Sequence, residues 1–351
     1  MTYAQFASDL PPDRITTFSS AEENEETMRR LGVHQQIRQL GKGPFRVDLA
    51  VEGTEHAEFY SDRFSTAFTM SLAPPDGCVG VLFLRSARNK VLVCGEEVAD
   101  DKLVVVPPGS SLDIVGPDLT ASEAVALSQE RFEGLAELIC PGPRPDRLSG
   151  TTVIPGNTEK LHALRRGVLD LVKHPERDPR REQCTRLLAE TIAWMDESSP
   201  DRRPERFVVN GAHSRVAKRV QEFLEEHYWD SVPMEDLCRT AGVGIRTAQR
   251  CFREYFDLTI TDYLKTLRLN AARRSLAAAD PSQTSVTTIA LEHGFGHLGR
   301  FSVEFRDRFG ESPSETLARV PGGSRRAAAR PPRRAGLPGW SPTSTEGTRL
   351  L

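Results

Sequence analysis

The sequence predicts an α+β chain with a β-rich N-terminal part and an all-α C-terminal part. Three observations carry this. Between residues 45 and 115, short apolar runs are separated by turn residues at Asp76–Gly77, Arg88–Asn89 and Pro107–Gly109. That is the pattern of short strands in a β barrel or sandwich. Between 120 and 196 the apolar residues recur at helical spacing. From 232 to 317, two helix–turn–helix patterns follow one another, joined by one long helix.

The chain of 351 residues suits two or three domains with a sizeable core. Its 46 basic and 49 acidic residues leave it near neutral, so charge alone gives no signature of nucleic acid. Acidic and basic residues are also roughly equal in number within 214–320, and a basic face there requires clustering on one side. The six cysteines are scattered without a CxxC pair, which reads as reduced core cysteine. The start, Met1 to Phe6, has neither a basic segment nor an apolar one. No apolar run approaches the ~20 residues of a membrane span. A cytoplasmic protein without a membrane partner is expected.

In order, residues 1–40 are polar, with acids clustered over Glu22–Glu26, and read as a flexible arm leading into a short helix over Glu25–Leu31. Strands are expected at 45–51, 59–64, 66–72, 79–84, 90–94 and 103–106. Helices are expected over Glu123–Ile139, Thr158–Val172 and Glu182–Met195, the last two as a helical hairpin. Residues 41–196 thus form one domain, with strands over 45–115 and helices over 120–196. Its last helix gives way to a linker, 197–212, marked by Ser198 to Pro204. The helical domain occupies 213–320. Residues 321–351, rich in Gly, Pro, Ser, Thr and Arg, read as a disordered basic tail.

The helical domain opens with a helix over Ser214–Tyr228. In the first unit, Leu237, Cys238 and Ala241 form the apolar face of a short helix. Gly242 stands where the turn needs a positive φ. The next helix starts at Gly244 or Ile245, with Ala248, Cys251 and Phe252 inward, leaving Arg246, Thr247, Gln249 and Arg250 outward. A long helix over Thr259–Ala279 connects to the second unit. There Ile289, Ala290, Gly294 and Phe295 repeat the places of Leu237, Cys238, Gly242 and Val243, across a longer turn. Phe301 and Phe305 face inward, leaving Gly299, Arg300, Ser302 and Val303 outward, with His297 at the helix start. Paired exposed helices of this kind can enter successive major grooves about 34 Å apart.

Taken together, residues 242–252, Leu267–Arg274, Ile289–Ala290, Gly294–Phe295, Phe301 and Phe305–Ser314 resemble the DNA-binding domain of AraC/XylS-type bacterial transcription regulators. The resemblance covers the last third of the chain before the tail. It implies a cupin-like ligand-sensing domain at the N-terminus, dimer contacts from the helical hairpin, and base reading by the outward residues of both helices. Carried over by position, these are Arg246, Thr247, Gln249 and Arg250 in the first helix and His297, Arg300, Ser302 and Val303 in the second. Arg suits the O6/N7 edge of guanine and Gln the N6/N7 edge of adenine. Gly299 offers no side chain and Val303 only a methyl contact, so the first helix is expected to dominate. Gly244 stands where the family usually has a Ser N-cap. Residues 268–276 and 294–301 are similar to the branch containing the ethanolamine-operon regulator.

The resemblance implies a homodimeric activator of a catabolic operon, with double-stranded DNA, RNA polymerase and a small-molecule effector as partners. A ligand-independent regulator and an enzyme-like cupin domain with an accessory DNA-binding domain are the alternatives. For the latter, a metal site would need a His/Glu cluster on neighbouring strands. The strand region holds His56 alone. His293 and His297 are split by Gly294–Gly296, so they do not share a helix face. Neither a P-loop, a Rossmann fingerprint nor a nucleophile elbow is present. No cofactor, metal or catalytic residue is expected.

Overall fold

The computed structural model describes residues 1–53, 57–99, 102–139, 150–155, 158–174, 212–230 and 232–319. The expected helix over Glu182–Met195, the linker and the tail lie outside these residues.

Twelve described strands form two antiparallel sheets. In the first, β1 (Thr16–Phe18), β3 (Val47–Gly53), β4 (Ala57–Phe64), β11 (Thr120–Ser128), β6 (Cys78–Ser86), β9 (Lys102–Val106) and β12 (Thr152–Pro155) lie side by side in that order. In the second the order is β2 (His34–Gln39), β5 (Phe68–Ala73), β10 (Leu112–Gly116), β7 (Val91–Val93) and β8 (Glu96–Val98). The centre of the first sheet is covered on both faces. Phe59, Val81, Phe83 and Val125 meet Leu161, Leu164 and Val168 of helix α4 (Thr158–Lys173), while Tyr60, Leu82 and Leu84 belong to the core between the sheets. Two-sided burial explains why β6 reads as a continuous apolar run rather than an alternating one.

Two stretches differ from the sequence expectation. Residues 123–128, expected as the start of a helix, are strand β11, and helix α3 begins only at Gln129 and runs to Ile139. The segment Thr-Ala-Ser-Glu-Ala-Val-Ala-Leu-Ser alternates as well as it spirals, and pairing with β4 and β6 along its length decides the matter. Residues 1–40, expected as a flexible arm, are instead built into the fold. Helix α1 (Tyr3–Phe6) buries Phe6, β1 joins β3, helix α2 (Ala21–Arg30) buries Asn24, Glu25 and Met28, and β2 joins β5. The polar residues are buried because they have partners. Asp9 holds the buried Arg63 at 2.7 Å and also Arg85 at 3.0 Å. Arg63 in turn meets Glu123, which lies within 3.2 Å of Arg165.

The seven described C-terminal helices are α5 (Ala212–His227), α6 (Met234–Ala241), α7 (Ile245–Phe256), α8 (Ile260–Ala278), α9 (Val286–Glu292), α10 (Leu298–Phe309) and α11 (Pro313–Ala318). The first of these share one apolar cluster with the sheets, from Phe18 and Ile37 through Val220, Phe252 and Leu267. The second unit has its own cluster around Leu276, Ile289, Phe301 and Phe305.

Helix α8 lies along the free edge of β2, where unpaired backbone groups need partners. Asn270 supplies two contacts: its Oδ1 accepts from Gln39 N–H at 3.0 Å and its Nδ2 donates to Gln39 C=O at 3.2 Å. Arg274 Nη2 donates to Ile37 C=O at 3.1 Å, and Glu25 Oε1 accepts from Ile37 N–H at 2.6 Å. Arg308 of α10 donates to the carbonyls of Gln39 and Leu40. Ion pairs flank this edge, with Arg273 and Arg274 on Glu22 and Arg38 on Glu225. On β10, buried Asp113 accepts from Ser71, Lys218 and Tyr255 at 2.6, 2.7 and 2.9 Å. Burial beside Asp113 pushes the Tyr255 hydroxyl far above its ordinary range, so it stays a donor.

Between the sheets lies a cavity of about 540 Å³, its mouth included. Gly80, Ala124 and Ala126 leave the space open, and Asp62 lines it. Burial, opposed by Arg63 and aided by Glu123, pushes the Asp62 carboxyl from 3.8 up to about 7.

Two outcomes are expected. Asn270→Ala strips the buried Gln39 N–H of its acceptor and costs about 1–3 kcal/mol in urea unfolding; an unchanged midpoint contradicts the edge assignment. Because the folded state raises the pKa of Asp62, its contribution is full below about pH 4 and is lost as pH rises through 7. Asp62→Asn should therefore flatten the fall in stability between pH 5 and 8, an effect of at most about 4 kcal/mol.

Candidate nucleic-acid interface

The first unit forms as its residues dictate. Leu237 and Ala241 are buried, and Gly242 ends α6 at φ 69°. Gly244, in extended conformation, precedes α7 without a side-chain cap. Ala248, Cys251, Phe252, Tyr255 and Phe256 are buried on the inner face of α7. The opposite face leaves Arg246, Gln249 and Arg250 exposed, with Thr247 half-buried beside them. These positions are three and four residues apart and so lie on one side of the helix. Arg250 is held only loosely, with Glu254 at 3.9 Å.

The second unit repeats the geometry with a longer turn. Gly294 has φ 78°, and Phe301, Phe305 and Phe309 are buried along α10. Phe295 is half-buried against Phe301, with ring centroids 4.7 Å apart. It therefore plugs the rim of this cluster rather than its centre. Around Gly294 the space is closed. A Cβ there would lie 3.0 Å from the Arg268 guanidinium and 3.2 Å from the Trp229 carbonyl oxygen. Arg268 itself donates to the carbonyls of Tyr228 and Asp230, at 2.6 and 2.8 Å, tying the end of α5 to this turn. A Cβ on Gly242 meets nothing nearer than 3.9 Å.

His297, Arg300, Ser302 and Val303 are all exposed on α10 or at its start. They are less free than their counterparts on α7. Arg300 donates to Glu304 at 2.8 Å, and Lys265 of α8 meets the same carboxylate at 2.7 Å. Partial burial pushes Glu304 up, but the two cations outweigh it and hold the carboxyl below its usual range. Ser302 donates back to Leu298 C=O at 3.0 Å, which leaves its oxygen lone pairs outward. His293 does not join His297. Its Nε2 is 2.8 Å from Ser275 Oγ, its ring stacks on Tyr228, and burial lowers its pKa.

Two residues of this surface escaped the sequence reading. Ile245 and Leu298 open α7 and α10 at equivalent places and are 44% and 36% exposed. The signal was present, since each is an apolar residue one step after a helix cap. Helical periodicity alone assigns such residues inward.

Residues 237–319 match the protein family described as "Helix-turn-helix domain". The "Probable thc operon regulatory protein" of Rhodococcus erythropolis is 37% identical over 106 residues, 30% of this chain and 32% of that protein. The "XylDLEGF operon transcriptional activator 2" of Pseudomonas putida is 35% identical over 101 residues, 29% of this chain and 64% of that protein. A solved structure of a probable AraC family transcriptional regulator from Rhodopseudomonas palustris CGA009 is 33% identical, with a TM-score of 0.27, over 29% of this chain and 94% of that one. The chain thus matches 32% and 64% of the length of these two curated relatives. Among the described residues no helix is long and apolar enough to cross a membrane.

Both turn glycines carry a left-handed φ that costs a side chain about 1–2 kcal/mol. Only Gly294 adds a steric clash, so Gly294→Ala should lower the melting temperature more than Gly242→Ala; equal losses would show that Arg268 yields freely. With two such turns joined through α8, residues 237–319 form a helix-turn-helix domain.

Proposed function

We propose that this protein is a sequence-specific DNA-binding transcription activator whose β-rich part senses a small molecule. One observation carries the reading. Two helices, α7 and α10, follow equivalent left-handed turns, and each buries one face and leaves the other exposed. In this reading α7 and α10 enter the major groove. Arg246 and Arg250 address guanine edges, Gln249 an adenine edge, and Thr247 either base or phosphate. Ile245, Leu298 and Val303 supply apolar contact to thymine methyls, while His297, Arg300 and Ser302 add weaker polar contacts. The first helix dominates, because Arg300 must first share or leave Glu304.

The relatives' printed names support the reading of an activator of an operon, and RNA polymerase is then the partner it recruits. The similarity to the ethanolamine-operon branch names one candidate operon. The two facing sheets are read as a cupin-like sensing domain within 41–196, extended by residues 1–40, and the cavity as the effector site. A homodimer is also part of the proposal. The apolar stripe of α4 is used on the first sheet, so in this reading its other face and the second hairpin helix carry the dimer contact.

The test is selection of DNA sites from a random library with the full chain. A two-part site is expected, with its halves one or more helical turns apart and affinity falling steeply with salt. No enrichment would overturn the reading. Arg250→Ala should relax preference at one base pair and cost about 1–3 kcal/mol; an unchanged site profile would remove Arg250 from the readers.

A further inference from the structure

We infer that the cavity between the sheets takes an organic amine, a small and mainly apolar molecule whose protonated nitrogen meets Asp62. The inference rests on the reading of this cavity as an effector site, and it specifies the ligand's chemistry.

Three features of the cavity point the same way. Its walls are built for an apolar body. Met28, Met70, Leu72 and Leu82 line it, and the small inward residues Gly80 and Ala124 keep it open. A Cβ on Gly80 would meet its neighbours at 3.4 Å or more, so the glycine makes room rather than relieving strain.

The charge in it is single and negative. Asp62 is the one acidic residue of the lining, and the lining has no basic one. Among the described residues no donor is bonded to its carboxylate. Its cross-strand neighbours are Leu49 on β3 and Ser122 on β11, and Ser122 is the only donor among them. The charged residues nearest along the strands, Arg63 and Glu123, sit on the opposite face of the sheet and pair with each other there. A part-buried carboxyl in an apolar lining is poorly hydrated and gains from a cationic N–H donor.

Aromatic rings flank the carboxyl on both sides. Tyr60, Asp62 and Phe64 are alternate residues of β4 and line the same cavity. An ammonium group is drawn to aromatic rings as well as to a carboxylate, and this lining offers both. A hydroxyl would satisfy the hydrogen bond but gain nothing from the rings.

The site also touches the elements that hold the C-terminal helices. Met28 lies on α2, whose Glu22 and Glu25 bind Arg273 and Arg274. Gln35 lies on β2, whose edge is bound by Asn270 and Arg308. A ligand in this cavity therefore contacts both elements that anchor α8.

The test is calorimetric titration of the full chain with matched probes: benzylamine and n-hexylamine against benzyl alcohol and benzoate. At least one amine should bind saturably, and benzyl alcohol and benzoate roughly tenfold more weakly or worse. Asp62→Asn keeps the shape and should lose roughly tenfold or more in amine affinity, with benzyl alcohol unchanged. Ala124→Leu fills the space and should abolish binding of every probe. Thermal melts of both variants show that they are folded. The inference is overturned if neither amine binds at millimolar concentration, if benzoate binds as well as benzylamine, or if Asp62→Asn leaves amine affinity intact. DNA binding is measured separately, so these failures leave the transcriptional reading standing, and a failure to select DNA leaves the amine result standing.

Discussion

The free edge of β2 is the constraint on which the arrangement of the molecule depends. A strand at the end of a sheet carries backbone donors and acceptors that must be met by water or by protein. Here protein meets them. Asn270 copies the hydrogen-bonding of a neighbouring strand with one side-chain amide, and Arg274, Arg308 and Glu25 complete the set. The helix that joins the two helix–turn–helix units is thereby fixed to the sheet, and α7 and α10 are fixed through it. The ion pairs around the edge are partly exposed and add less each.

The same edge makes the N-terminal segment structural. Helix α2 is clamped from below by the core, through Met28, and from above by Arg273 and Arg274. Burial raises the Glu25 carboxyl despite the Arg274 charge, whereas for Glu22 burial is outweighed by Arg273 and its neighbours. The two acids therefore respond oppositely to their burial although they share an arginine. Such a pair ties the position of α2 to that of α8, so movement of one is felt by the other.

Much of the helical third was legible in the sequence. Gly242, Gly294 and Gly310 each have positive φ, and the helix limits read from periodicity fall within two residues of those observed for α5 and α8. Local rules suffice there, because caps and apolar stripes act within one turn. The outward positions of Arg246, Gln249, Arg250, His297, Arg300, Ser302 and Val303 followed from the same rules. What they contact is a property of a partner and not of the chain. The N-terminal part was less legible because its determinants are non-local. Asn24 and Glu25 look like solvated residues until Gln35, Ile37 and Arg274 are brought to them. Glu123 looks like a helical surface residue, yet it is fully buried between Arg63 and Arg165. The cavity was invisible for a related reason: Gly80, Ala124 and Asp62 belong to three strands and mean little one at a time.

Asn270 grips β2 by its main chain, and so does Arg308, whose own carbonyl also accepts from the Gln39 side chain at 2.6 Å. Every residue except proline offers the same carbonyl and amide along an edge. The main-chain part of the grip is therefore indifferent to most substitutions on that strand, Arg38 and Gln39 apart, and demands that the strand keep its register. A sensing half attached in this way can change its lining residues, and hence the molecule it answers to, without redesign of the half that carries α7 and α10.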